Sequence, residues 1–143
     1  MYTIQAENHF DSAHFLKGYQ GACSNLHGHR WIVQAIQTAE TLIESGEKRA
    51  MVSDFGDLKE ALKNLVDPLD HQLIFETGSI SDTFLEALKA EGFTYVEIPI
   101  RPTAEALAKW FYDQLNTKVE GLLEVRVFET PTNVASYRRS SCI

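Results

Sequence analysis

Two long alternating segments near the start of the chain constrain its fold more than any other feature. From Thr3 to His14, Ile4, Ala6 and Phe10 share one parity, and Asn8, Ser12 and His14 fall on the same side if the strand stays regular. From Leu26 to about Thr38, Trp31, Val33 and Ala35 alternate with Arg30 and Gln34, with Ile32 and Ile36 conforming less well. Side chains alternate between the two faces of a strand, so each segment offers one apolar face that must be buried. Gly18, Gly21 and the polar residues between them break the pattern as a loop. The two segments therefore predict an antiparallel pair.

Helical spacing takes over at Phe55, Leu58, Leu62, Leu65 and Val66, with Ser53 or Asp54 as cap and Asp67-Pro68 as stop. A short helix starts at Ser81, uses Phe84, Leu85 and Leu88, and ends at Gly92 as a left-handed cap. Phe93 to Ile98 reads as a strand closed by Pro99. A third helix begins at Thr103 and presents Leu107, Trp110, Phe111, Gln114 and Leu115. Leu122 to Thr130 is a strand with Val125, Val127 and Glu129 on one face, and Val134 to Tyr137 returns after the turn at Pro131-Thr132-Asn133. The tail from Arg138 to Ile143 is expected to fray. This order predicts an α+β fold, an antiparallel sheet of four or five strands with helices on one face, in a single domain over residues 1–143. Its open sheet edges must be covered or paired, so oligomerisation through them is expected.

Charge and cysteine usage narrow the function. A net charge of -7 argues against a nucleic-acid partner, which needs a basic face. Cys23 and Cys142 make no disulfide framework. The first 30 residues contain no long apolar run and nothing later is long enough to span a membrane. A reducing, cytoplasmic setting is the expectation.

The chemistry concentrates at Cys23-Ser-Asn-Leu-His27-Gly-His29. Two histidines at i and i+2 of a strand project from one face and can share an ion. His14, at the end of the preceding strand, supplies a third imidazole, which is the ligand pattern of an open catalytic zinc site. His9 falls on the opposite parity. A closed structural site with Cys23 as fourth ligand is the alternative. Cys23 can equally act as a reactive thiolate beside the cation. Asp70-His71 offers either a base with an orienting carboxylate or an ordinary surface turn. Glu129 continues a core-facing parity and must be paired, either with an internal cation or with a ligand offering two parallel donors, such as a 2-amino-4-oxo ring edge. Glu105, in the first turn of the third helix, is at minimum a helix-stabilising acid.

Taken in order, these motifs resemble the 6-pyruvoyl-tetrahydropterin synthase / 6-carboxytetrahydropterin synthase family over nearly the whole chain. Phe10-Asp-Ser-Ala-His14 resembles the family's first zinc histidine, and Cys23-x3-His27-Gly-His29 its catalytic cysteine and remaining zinc ligands. Ser53-Asp54-Phe55 with Leu58-Lys59 resembles the start of its first helix, and Leu69-Asp70-His71 the pair that assists the cysteine. Pro102-Thr103-Ala104-Glu105 resembles the later helix start beside the pterin, and Val127-Phe128-Glu129-Thr130 the strand with the pterin-anchoring glutamate. The three-residue gap between Cys23 and His27 resembles the 6-carboxy branch.

The resemblance implies a T-fold whose protomers join into an oligomeric barrel, a hexamer or tetramer with active sites between subunits. It implies a zinc-dependent carbon–oxygen lyase that converts 7,8-dihydroneopterin triphosphate to 6-carboxytetrahydropterin, acetaldehyde and triphosphate in 7-deazaguanine and queuosine synthesis. His14, His27 and His29 would hold Zn2+. Cys23, Asp70, His71 and Glu129 would be catalytic, and Glu129, Thr103 and Glu105 would bind substrate. A 6-pyruvoyl synthase or a dihydroneopterin side-chain aldolase is the alternative on the same scaffold, and a zinc- or pterin-binding module the non-enzymatic one. A triphosphate needs cations that an acidic chain must place locally. Lys17, Arg30 and Arg101 are candidates by position. The segment from Thr77 to Arg101 and the residue Cys142 carry no assigned role.

Overall fold

The structure is a computed structural model that describes residues 1–140. Strand β1 (Tyr2–His14) pairs antiparallel with β2 (His27–Ala39) in unbroken register from Tyr2 opposite Ala39 to His14 opposite His27. Helix α1 (Phe55–Val66) follows, capped by Asp54, whose side chain accepts from the Gly56 N–H at 2.7 Å. Then come β3 (Gln72–Glu76), α2 (Asp82–Ala90), β4 (Tyr95–Ile98), α3 (Ala104–Leu115), β5 (Leu122–Thr130) and β6 (Asn133–Tyr137). They form one six-stranded sheet in the order β4-β3-β1-β2-β5-β6. The α+β class is as expected, with α1 and α3 packed on one face of the sheet.

That face is the parity read from the sequence. Phe10, Trp31, Val33, Val125 and Val127 are buried against Leu58, Leu62 and Val66 of α1 and Leu107, Phe111 and Leu115 of α3. Burying each such side chain stabilises the fold by roughly 1.5–3 kcal/mol.

Several expectations need correction. Strand β3 is a sixth strand, and it runs parallel to both β1 and β4, so the sheet is mixed rather than antiparallel throughout. Its Leu73-Ile74-Phe75 is buried on both faces and shows no alternation, as is usual for parallel strands. Helix α2 buries none of its residues, and Phe84 is 41% exposed, so its apolar stripe does not join the core. Phe55 is exposed at the first position of α1. On α3, Ala108 and Tyr112 take the buried positions, while Trp110 and Gln114 sit at the margin. Residues 138–140 carry no regular structure, and the rest of the tail, with Cys142, lies outside the described residues.

Candidate functional site

The register of the first hairpin assembles the site. His14 is directly opposite His27, and Ser12 is opposite His29, so three imidazoles converge at one end of β1 and β2 on the helix-covered face. Their ring centroids lie 4.5–5.1 Å apart, and one nitrogen from each ring falls within 4.8 Å of the others. Gly28 between the two β2 histidines faces the other way, where an added Cβ would meet the Ser12 carbonyl at 3.2 Å. The approach it permits is that of β1 itself.

The tautomers are set from behind. His14 Nδ1 donates to the Pro102 carbonyl at 2.9 Å, and His27 Nδ1 donates to the Asn25 carbonyl at 2.6 Å. A carbonyl oxygen only accepts, so each Nδ1 carries the proton and each Nε2 presents a lone pair. The Nε2 atoms of His14, His27 and His29 are all buried without a hydrogen-bond partner. Three convergent, buried, unpartnered ring nitrogens are costly unless something binds them. A divalent cation that takes imidazole ligands fits this donor set. Trp31 packs its indole against the His14 and His29 rings at 4.9 and 5.3 Å.

Burial pushes the His14 imidazole down to about 4, partly opposed by the Pro102 carbonyl and assisted by its two neighbouring rings. Burial also lowers His29, against the carboxylate of Glu129, whose Oε1 is 3.6 Å from His29 Nε2. Both rings are therefore neutral near pH 7, the state a metal requires. Glu129 reaches the cluster from β5 and remains partly exposed, so its carboxylate edge is open to a ligand. Cys23 sits in a single 3-10 turn, Ala22–Ser24, as a partly buried free thiol. Its sulfur is not among the atoms that converge with the three imidazoles. That favours the open set over the four-ligand alternative.

A family model described as 6-pyruvoyl tetrahydropterin synthase matches residues 3–140. The chain belongs to the 6-pyruvoyl tetrahydropterin synthase family. A Haemophilus influenzae protein named 6-carboxy-5,6,7,8-tetrahydropterin synthase is 38% identical over 96% of this chain and 99% of its own length. A protein of the same name from Aquifex aeolicus is 40% identical over 81% of this chain and 75% of its own. The fold is shared with an uncharacterized Wolinella succinogenes protein at a TM-score of 0.80, 20% identity and coverage of 97% and 98%. It is also shared with the Caenorhabditis elegans 6-pyruvoyl tetrahydropterin synthase at 0.69, 24% identity and coverage of 97% and 96%. These are T-fold proteins, as the motifs imply.

In this member of the synthase family, Asp70 and His71 do pair, with His71 Nδ1 2.9 Å from Asp70 Oδ2. The other Asp70 oxygen accepts the Asp11 N–H at 2.8 Å, and the His71 N–H donates to the Asp11 carbonyl at 2.7 Å. The Asp11 N–H, followed by His71, holds the Asp70 carboxyl below the usual carboxylate range. His71 adopts φ 60, in the left-handed region. Its side chain is 79% exposed. Asp11 and Arg30 have the opposite parity from His14 and His29, so His71 sits toward the other face of the sheet, in a cavity of about 920 Å³ that it lines with them and that also reaches Ser12 and His29. No hydrogen bond or ion pair among the described residues joins His71 to the imidazole cluster. Thr103 caps α3 by accepting the Ala106 N–H at 3.2 Å, and Glu105 is exposed in its first turn. Sequence reading missed the Pro102 and Asn25 carbonyls, which no side-chain pattern announces. It also missed Trp31 as a neighbour of the cluster, because its position reads simply as core.

Proposed function

We propose that this chain is a zinc-dependent 6-carboxy-5,6,7,8-tetrahydropterin synthase acting on 7,8-dihydroneopterin triphosphate and one water, yielding 6-carboxytetrahydropterin, acetaldehyde and triphosphate for 7-deazaguanine and queuosine synthesis. The observation that carries the reading is the convergence of three buried, unpartnered Nε2 atoms beside the open carboxylate of Glu129. The relatives named for the 6-carboxy activity and the three-residue gap from Cys23 to His27 support this branch over the 6-pyruvoyl one.

His14, His27 and His29 hold the metal. When bound there, zinc supplies Lewis acidity and a template for the side-chain hydroxyls of the substrate. Glu129 accepts two N–H bonds from the 2-amino-4-oxo edge of the ring, and Thr103 and Glu105 line the ring's surroundings. Cys23 as thiolate takes and returns a proton on the side-chain carbon, which suits a reducing, cytoplasmic setting. His71, oriented by Asp70, is the acid–base partner. Its exposure on the far face supports a homo-oligomer whose active sites lie between subunits, where one protomer's His71 serves its neighbour. One core shared by α1, α3 and the strands supports a single domain over the chain.

Incubation of the zinc-loaded protein with 7,8-dihydroneopterin triphosphate, with products identified by mass, tests the reading. Acetaldehyde with a 6-carboxy product is expected. A pyruvoyl product or glycolaldehyde moves the chain to another reaction on this scaffold, and pterin binding with no turnover after zinc reconstitution makes it a binding module.

A further inference from the structure

We infer that Lys17 and Arg101 form the subsite for the triphosphate, and that the substrate lies across the sheet with its ring at Glu129 and its phosphates at this pair of cations. The inference rests on the pterin reading above.

Sheet order supplies the argument. Glu129 is on β5, His27 and His29 are on β2, and His14 ends β1. Beyond them on the same side of the sheet order, Lys17 follows β1, Ser79 follows β3 and Arg101 follows β4. Neighbouring strands are about 4.8 Å apart, so these stations are successive steps across the sheet. Dihydroneopterin triphosphate has its recognition groups in the same order. The 2-amino-4-oxo edge comes first, then the side-chain hydroxyls, then the phosphates. A ring held at Glu129 with its hydroxyls at the imidazoles therefore directs its phosphates past β1 toward the ends of β3 and β4.

A cavity of about 280 Å³ lies there, lined by Phe15, Lys17, Glu76, Ser79, Arg101 and Pro102. It adjoins the imidazole cluster, because Phe15 follows His14 and the Pro102 carbonyl is the acceptor of His14 Nδ1. Lys17 Nζ donates to the Ser79 carbonyl at 3.1 Å, and Arg101 Nη2 donates to the Lys17 carbonyl at 3.1 Å. Neither cation is in an ion pair among the described residues. Each is held by one backbone carbonyl and keeps most of its donors free for phosphate oxygens, which an arginine fork can meet two at a time. Arg30, the third cation suggested by position, is excluded, since both its contacts go to the Asp11 carboxylate at 2.9 Å on the opposite face. Glu76 shares the cavity and leaves it one net positive charge, in a chain whose net charge is -7. The segment from Thr77 to Arg101 thereby gains a role, as its two ends carry Ser79 and Arg101.

Steady-state kinetics of the full chain with zinc tests this in wild type, Lys17→Gln, Arg101→Gln and the double variant, with inorganic tripolyphosphate as competitor. Losing charged hydrogen bonds to phosphate should raise KM and the tripolyphosphate Ki of the double variant roughly 10- to 100-fold, while kcat changes little. Affinity for unphosphorylated 7,8-dihydroneopterin should stay constant, and Glu76→Gln should lower both KM and Ki. Both cations are exposed, and Lys17→Gln leaves the Arg101 bond to the Lys17 backbone intact, so at least that single variant keeps the loop junction. Wild-type KM and Ki in the double variant would overturn the subsite. If wild type turns nothing over, the pterin reading fails by itself, and calorimetry with tripolyphosphate still decides the subsite: weaker binding in the double variant supports it, and equal binding refutes it.

Discussion

Acidifying the metal-free protein probes the imidazole cluster through stability alone. The folded chain holds His14 at about 4 against an ordinary value of 6.5, and burial is the main cause. Between those pH values the unfolded chain binds a proton that the folded chain refuses. The stabilisation is therefore complete above about pH 6.5 and drains away as pH falls toward about 4. At 1.36 kcal/mol for each tenfold change in proton affinity, the full loss is about 3 kcal/mol. His29 is lowered for the same first reason and steepens the fall. Asp11 and Asp70, both lowered, lose their contribution only at more acid pH, as it passes through their own range. Urea denaturation of chelator-treated protein between about pH 4 and about pH 7.5 measures the effect, a midpoint shift of roughly 1–3 M. His14→Gln removes the titrating ring, so its stability should fall about 3 kcal/mol less over the same span, whatever its value at neutral pH. Parallel curves for the two proteins would refute the reasoning, because burial of His14 would then carry no proton linkage.

Other outcomes follow from the same geometry. Cys23→Ala should reduce turnover roughly 10²–10⁴-fold with metal content by atomic emission unchanged, and loss of metal would make the thiol a ligand instead. Glu129→Gln replaces part of an acceptor edge by a donor, so pterin affinity by fluorescence titration should weaken roughly 10- to 100-fold, and unchanged affinity would place the ring elsewhere. Leu62→Ala, at a fully buried position of α1, should cost about 2–5 kcal/mol by denaturation, and a cost below about 1 kcal/mol would mean that the core there collapses around the gap.

Periodicity made most of this fold legible. Ala6, Phe10 and His14 on one strand, and Trp31, Val33 and Ala35 on the other, announced a shared face, and the caps at Asp54, Ser81 and Thr103 marked helix starts. The placement of His14, His27 and His29 follows from strand parity plus an antiparallel register. Strand β3 was not legible, because a five-residue run buried on both faces has no period to detect. Phe84 and Leu88 have helical spacing, but spacing names a face without saying what covers it, and here no described residue buries either of them. Asp70 and His71 were legible as a pair of residues and illegible as a position. Their orientation depends on the Asp11 backbone, which local sequence does not reveal. The cations divide in the same way, since only tertiary structure shows Arg30 bound to Asp11, and Lys17 and Arg101 without carboxylate partners among the described residues.

The bond from His14 to Pro102 spans 88 residues. During synthesis, all three clustered histidines leave the ribosome within the first 29 residues, while the carbonyl that orients His14 arrives near residue 102 and Glu129 later still. At about 5–20 residues per second, the 73 residues from 29 to 102 take roughly 4–15 s. For that time a nascent chain displays a mobile histidine cluster that lacks its tautomer-setting partner and its protein cover. Any metal captured then would be held by ligands that have yet to be ordered. Orientation of the His14 ring therefore waits on the last third of the chain, which supplies none of the three imidazoles.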